Sequence, residues 1–418
     1  MTNRMHILAA AVFIVAGLRG TMVYAAPKPA ATSTACTTPT TIPNGLNKYE
    51  HLAWQIFTAI NCPSGNPQNP LAWETWTEQS CISGACSSGV RHPHASALAI
   101  ALAPAVNKRS GLPQTECTPM TTQSASNPTL NAFVPANLGS NPKFCEEVFV
   151  NQAELSFIQN GQLQTLAGQQ AYASAPNGTI QFPSDALEVK ADWLPADSLS
   201  APFNCTNNRP AGVYVEPING KCYALVGIHI SSKLLTDWLW ATFEPQSATT
   251  NPNRCNPKLY SDCRDPWGAS PPVSTGQTTS LTPNVSSLMK QAGVAPEFYN
   301  YRLVGVQAGV GGQKEYLSPI HLGNSFTEFN AGVAVKQASC ITCHSYARLS
   351  SQPSASTANP ENTNFGAFPG RPQVGISTQP SAPAPQGGQW IQQDFSWLLG
   401  FMPCTSVNNP CVGPNGPQ

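Results

Sequence analysis

Residues 340–344 read Cys340-Ile341-Thr342-Cys343-His344: two thiols three positions apart, with an imidazole directly after the second. That spacing lets each thiol add across one vinyl group of the same porphyrin, while the histidine lies under the ring and offers a nitrogen to the iron. C-x-x-C-H is therefore the attachment signature of a c-type haem, with Cys340 and Cys343 as thioether sites and His344 as the proximal iron ligand. The plainer alternatives are a chance cluster in a cysteine-rich chain and a redox C-x-x-C pair. A redox pair has no need of His344, and nothing around it reads as a thioredoxin-like unit.

An iron held by His344 leaves a sixth position to fill. His229 is the first candidate: strict alternation along Cys222–Ile230 puts Leu225, Gly227 and His229 on one face, and Gly227 leaves flat space that a porphyrin plane could use. The competing reading is a hydrogen-bonded core histidine beside a bulge glycine. Met402 is the second candidate, although Cys404 nearby gives that segment a structural reason to exist. His321, His51 and the run Arg91-His92-Pro93-His94 are poorer donors, and an open position is the remaining outcome. Glu74, Glu188, Lys190, Lys233 and Glu244 are charged residues that a haem pocket would recruit. The tryptophan pairs Trp73/Trp76 and Trp238/Trp240 read first as core, with electron relay or haem stacking as the alternative. Ser287-Leu288-Met289-Lys290 lacks the companion motifs of an S-x-x-K enzyme. The glycines from Gly305 to Gly312 precede no dinucleotide-binding unit.

Bacterial c-type haem is attached outside the cytoplasmic membrane, so the motif calls for export. Residues 1–25 have a basic start at Arg4, a short apolar stretch from Ile7 to Leu18, and small residues at Ala25 and Ala26, the pattern of a cleaved export signal rather than an anchor. No other segment is apolar over the length a spanning helix needs. Setting aside Cys340 and Cys343, twelve of the 14 cysteines remain, an even number consistent with up to six disulfides. Connectivity does not follow from sequence; the short separations Cys81/Cys86, Cys255/Cys263 and Cys404/Cys411 suggest local clips. A structural zinc site would want a second paired C-x-x-C, which is missing. Charged residues are only 10% of the chain and the net charge is zero, so there is no basic field for nucleic acid or anionic lipid. The expectation is a periplasmic or secreted protein without a membrane span.

The positioning elements read as an α+β fold: a disordered leader over residues 26–43, a β-rich body with a few helices over 44–335, and a small helical haem segment over 336–418. Helices are predicted at Leu46–Ile60, Ser232–Phe243, Val285–Ala292 and Trp390–Phe401. Strands are predicted within Val148–Leu166, with a turn at Asn160-Gly161, and at Thr179–Phe182, Ala186–Trp193 and Tyr301–Ala308. A hairpin is predicted around Asn219-Gly220.

Several stretches carry a resemblance: Ala72-Trp73-Glu74-Thr75-Trp76, Ala186 to Trp193, Gly227-Ile228-His229-Ile230, Trp238 to Glu244, Ala338 to His344, and Asp394-Phe395-Ser396-Trp397-Leu398-Leu399. Together they resemble bacterial monohaem proteins of the cytochrome c family, over most of the chain. The resemblance implies one covalent haem c and a redox role, with the redox partner and any small-molecule substrate unknown. It departs from small class I cytochromes c, because no Met or His lies between His344 and the closing segment. Two functions follow as expectations. The first is a monohaem electron carrier. The alternative is a haem enzyme or sensor with an open iron, peroxidase-like or reactive toward oxygen or nitrogen oxides. Four times the length of a minimal carrier speaks for the second; the lack of a recognisable distal acid–base pair speaks for the first.

Overall fold

The structure is a computed structural model that describes residues 33–82, 89–91, 93–94, 117–119, 139–174, 180–246, 265–270, 279–308, 322–324, 326–327, 338–345, 347–350, 390–401, 412–413 and 416–417. The export signal, Met402, His321, His92, Cys86 and the pairs Cys255/Cys263 and Cys404/Cys411 lie outside the described residues. No described helix is long and apolar enough to cross a membrane.

The strands are β1 (Pro63–Asn66), β2 (Asn69–Leu71), β3 (Thr77–Glu78), β4 (Thr118–Pro119), β5 (Lys143–Val150), β6 (Leu187–Pro195), β7 (Val215–Ile218), β8 (Lys221–Ser232), β9 (Leu239–Pro245), β10 (Ala269–Ser270), β11 (Ser280–Leu281), β12 (Tyr301–Ala308), β13 (Arg348–Ser350) and β14 (Trp390–Gln392). The helices are α1 (Lys48–Ile60), α2 (Gln152–Asn160), α3 (Leu166–Ser174), α4 (Pro283–Ala292), α5 (Cys340–His344) and α6 (Leu398–Phe401). This is an α+β arrangement with a sheet-rich body. Its frame is one antiparallel sheet in the order β3-β5-β6-β8-β9-β12, with β4 added on β5 and β7 on β8.

The two faces of that sheet differ. On one, Val189, Ala191, Trp193, Ile228, Ala241 and Phe243 are buried in the main core. α1 covers this face. Its apolar residues recur at helical spacing, and Asn61 closes it by donating from Nδ2 to the Phe57 carbonyl at 2.8 Å. Phe57 stacks on Phe243 with centroids 4.1 Å apart, and the Trp54 indole donates to Asp265 Oδ2 at 2.9 Å. By alternation, the other face receives Glu188, Lys190 and Asp192 from β6, His229 and Ser231 from β8, Trp240 and Thr242 from β9, and Gln307 from β12.

Disulfides Cys36–Cys62, Cys117–Cys145 and Cys205–Cys222 staple this frame. Cys81 is disulfide-bonded as well, to a partner outside the described residues. Within the stretch read as a leader, Thr34–Cys36 form a 3-10 turn tied to α1's end through Cys36–Cys62.

The strand Tyr301–Ala308 and the helix ending at Ala292 stand as expected, the latter started by Thr282 and stopped by Gly293 at φ 66°. So does the hairpin, whose Asn219 and Gly220 both take positive φ. Four expectations are corrected. First, strand β5 stops at Val150 and the chain turns helical. Asn151 caps α2 by accepting from the Glu154 N–H at 3.0 Å, and helical spacing of Leu155 and Ile158 then wins over the strand reading. Second, no strand forms at Ile180–Phe182. Third, Ser232–Phe243 is not a helix: Trp238 sits at φ 64°, and Leu239, Ala241 and Phe243 then alternate as β9 between β8 and β12. Fourth, Trp390–Phe401 is not one helix, because β14 pairs with β13 and the consecutive positive φ values of Asp394 (48°) and Phe395 (67°) break the chain before α6.

Candidate functional site

The Cys-x-x-Cys-His residues form α5, a single helical turn laid on the polar face of the sheet. Ser339 caps it, accepting from the Thr342 N–H at 3.4 Å. Gln307 of β12 clamps it twice. Its Nε2 donates to Ser339 Oγ at 3.0 Å, and its Oε1 accepts from the Ile341 N–H at 3.0 Å. Ile341 drives the turn into place by burial among Trp238, Trp240, Phe395 and Leu398. Cys340 donates to the Leu322 carbonyl at 3.4 Å, where Leu322 bridges to Ser339. Cys340 and Cys343 are thiols, in contrast to the other described cysteines.

His344 is oriented by a backbone carbonyl. Its Nδ1 lies 2.8 Å from the oxygen of Phe395. A carbonyl only accepts, so Nδ1 carries the proton and Nε2 keeps its lone pair. Burial, with the nearby charges of Lys190 and His229, pushes the imidazolium pKa down to about 3, against the raising effect of the Phe395 bond. The ring is therefore neutral, the form in which imidazole ligates a metal. Trp240 packs on it with centroids 4.2 Å apart at 41°.

The carbonyl that holds His344 belongs to the strained Asp394–Phe395 pair, and four contacts fix that turn. Asp394 Oδ1 accepts from Lys233 Nζ at 2.6 Å and Oδ2 from the Phe182 N–H at 2.7 Å. Ser396 donates to Glu188 at 3.5 Å, and the Trp397 indole donates to the Cys343 carbonyl at 3.2 Å. Positive φ at two successive non-glycine residues costs free energy that the surrounding contacts must offset, as is typical of functional turns.

His229 sits on the same polar face as Lys190 and Asp192. Its Nε2 is 2.8 Å from Asp192 Oδ2 and 3.0 Å from Thr327 Oγ1, and the Thr327 hydroxyl donates to the same Oδ2 at 2.5 Å. A carboxylate accepting from both makes Nε2 the donor, so this arrangement leaves no Nε2 lone pair for a metal. The space at Gly227 is filled by protein: a methyl there would lie 2.5 Å from both Asp192 Oδ2 and Asn324 Nδ2. Leu225 is not on this face. The ladder slips between Asp192 and Trp193, pairing Trp193 with Leu225, and the bulge turns Leu225 into the main core.

Of the other charged residues singled out, Lys190 pairs with Glu146 at 2.7 Å near His344, while Lys233 and Glu188 hold the Phe395 turn. Glu244 is buried on β9 opposite Arg302. Glu74 lies in a separate buried cluster around Arg91, with Glu147 and Glu216 both 2.6 Å from the guanidinium. His51 stacks on Trp267 at 4.2 Å and His94 lies 3.5 Å from Glu78, neither of them with α5. Trp73 is core, edge-on to Phe149. Gln307, Asp192 and the Phe395 carbonyl escaped the sequence reading; only the polar alternation of β6 within an otherwise apolar strand signalled the face they share. Among the described residues no three His, Cys, Asp or Glu side chains are arranged to hold a metal ion by themselves. No family model, no curated protein and no solved structure matches this chain.

Proposed function

We propose that this protein is a monohaem c-type cytochrome of the periplasm or extracellular space that transfers electrons. The observation that carries the reading is the pairing of two thiols on one helical turn with a histidine whose Nδ1 proton is spent on the Phe395 carbonyl. That donor set fits a haem. Cys340 and Cys343 supply thioether sulfurs on one face, His344 Nε2 supplies the proximal nitrogen, and a backbone acceptor on the far nitrogen is the usual device for aiming such a ligand. Haem, once bound, supplies one-electron redox chemistry at iron. The chain's own work is to hold α5 through Gln307 and Ile341, to orient His344, and to surround it with Trp240 and buried polar groups. The disulfides support export to an oxidising compartment.

A second reading is favoured by His229. An Asp192–His229 pair, with Lys190 beside it, is the acid–base equipment that the sequence did not reveal, and it suits an open iron better than a filled sixth position. Optical spectra of protein exported with haem-maturation machinery separate the two. A sharp reduced α-band indifferent to carbon monoxide supports the carrier, with Met402, or His229 released from Asp192, as sixth ligand. A high-spin spectrum that shifts with carbon monoxide supports the enzyme or sensor. Absence of covalent haem overturns both.

A further inference from the structure

We propose that Glu154 and Glu188 form a proton-binding site linked to the electron, taking up one proton when the haem accepts one electron from a one-electron donor and releasing it on reoxidation. This rests on the haem reading above. The pair is built by the backbone. Asn151 Oδ1 accepts from the Glu154 N–H at 3.0 Å and from the Leu187 N–H at 3.3 Å, and the Asn151 N–H donates to the Leu187 carbonyl at 3.0 Å. These bonds lash the start of α2 to the start of β6, and Glu154 and Glu188 lie within charge–charge reach of one another. Glu154 is wholly buried, and neither carboxyl oxygen has a hydrogen-bond partner among the described residues. A buried carboxyl in that state calls for an explanation, because ionising it without a partner is costly.

The charges around the pair leave it short of cations. Glu154 faces Glu188 and Asp394. Asp394 already holds Lys233, and Lys190, the cation nearest Glu188, is 2.7 Å from Glu146. Burial first, then Glu188 and Asp394, holds Glu154 well above the usual carboxylate range; burial raises Glu188 to about 7 against Lys190 and Ser396. The pair thus carries a proton near neutrality.

It is also wired to the haem-binding turn. Ser396, bonded to Glu188, follows Phe395, which holds His344. Across the sheet Glu188 pairs with Ser231 and Ser231 with Trp240, so the backbone of Trp240, whose ring touches His344, is two strand spacings, about 10 Å, from that of Glu188. Over that distance inside a protein, loss of one positive charge moves a carboxyl by roughly a pH unit.

The test is the midpoint potential of the full haem-loaded protein across the range around pH 7, read spectroelectrochemically. The potential is expected to fall as pH rises, by at most about 59 mV per unit, the limit of one proton per electron. Glu154→Gln/Glu188→Gln is expected to cut that fall to less than half. A fall that survives the double variant belongs to other groups, such as the propionates, and overturns the inference; so does a flat wild-type profile. Should the double variant fail to load haem, the wild-type infrared difference spectrum decides: a deuterium-sensitive carboxylic carbonyl band gained on reduction supports the site, and its absence overturns it. Wild-type protein lacking covalent haem would overturn the parent reading, a result distinct from loaded protein with a pH-independent potential.

Discussion

On the side of the sheet that α1 covers, Leu52, Trp54, Ile56 and Phe57 meet Phe243, Ala241 and Val306, and a buried cation, Arg91, is wrapped by Glu74, Glu147 and Glu216 with Trp73, Phe149 and Trp193 about its guanidinium. On the other side the same strands bury Asp192, Trp240 and Gln307, with Glu188 and Lys190 half-buried beside them. Both faces carry apolar and charged groups, but the charges are partnered differently. The Arg91 cluster has its guanidinium engaged by each acid. Among the described residues no guanidinium engages the Glu154–Glu188 pair, Lys190 being held by Glu146, and Glu188 is bonded to Ser396 of the turn that aims His344. Buried polarity that is fully engaged builds structure, whereas buried polarity left short of partners marks a place where charge is meant to change.

The sharpest way to break this contrast is Arg91→Met. It strips the only guanidinium from three buried carboxyls and is expected to cost about 3–5 kcal/mol in denaturant unfolding, the cost of leaving buried charge uncompensated. A loss below 1 kcal/mol, judged against that same range, would mean the cluster is not a structural keystone. Phe57→Ala should cost a similar or slightly smaller amount, about 3–5 kcal/mol, while leaving the reduced haem spectrum unchanged, because it empties only the α1 side. Gln307→Ala belongs to the other face. Stranding the Ile341 N–H and removing one donor from Ser339 Oγ is expected to cost about 1–3 kcal/mol and to disturb the haem band. An unchanged band would detach Gln307 from the positioning of α5.

The smallest effect is a pH trend. Burial raises Glu188 to about 7 and Asp394 to about 6, the latter despite Lys233. A carboxyl whose folded pKa exceeds its unfolded value binds its proton more tightly when folded, so its contribution is fully present below the ordinary carboxylate range and is lost as pH rises through the folded value. The unfolding midpoint should therefore fall between about pH 4 and about pH 8, and Glu188→Gln should flatten the upper part of that fall. A midpoint rising over the same interval would contradict the burial assigned to these groups.

What sequence makes legible is the chemistry written in consecutive residues. The C-x-x-C-H motif, the Asn219-Gly220 hairpin and the helix over Pro283–Ala292, with Thr before it and Gly after it, follow from local rules. What sequence hides depends on long-range pairing. The segment from Ser232 to Phe243 has apolar residues that satisfy helical spacing, but pairing of β9 with both β8 and β12 overrides it. A bulge beside Gly227 is invisible to alternation alone, which puts Leu225 on the wrong face and His229 on the right one. The Phe395 carbonyl is a backbone group 51 positions from His344, and no side-chain pattern announces it.

The most direct test of the central claim is the intact mass of the protein after export with haem-maturation machinery and full denaturation, beside a Cys340→Ala/Cys343→Ala variant. One haem retained by the wild type and none by the variant is the predicted result. A denatured wild type that carries no haem would contradict the account.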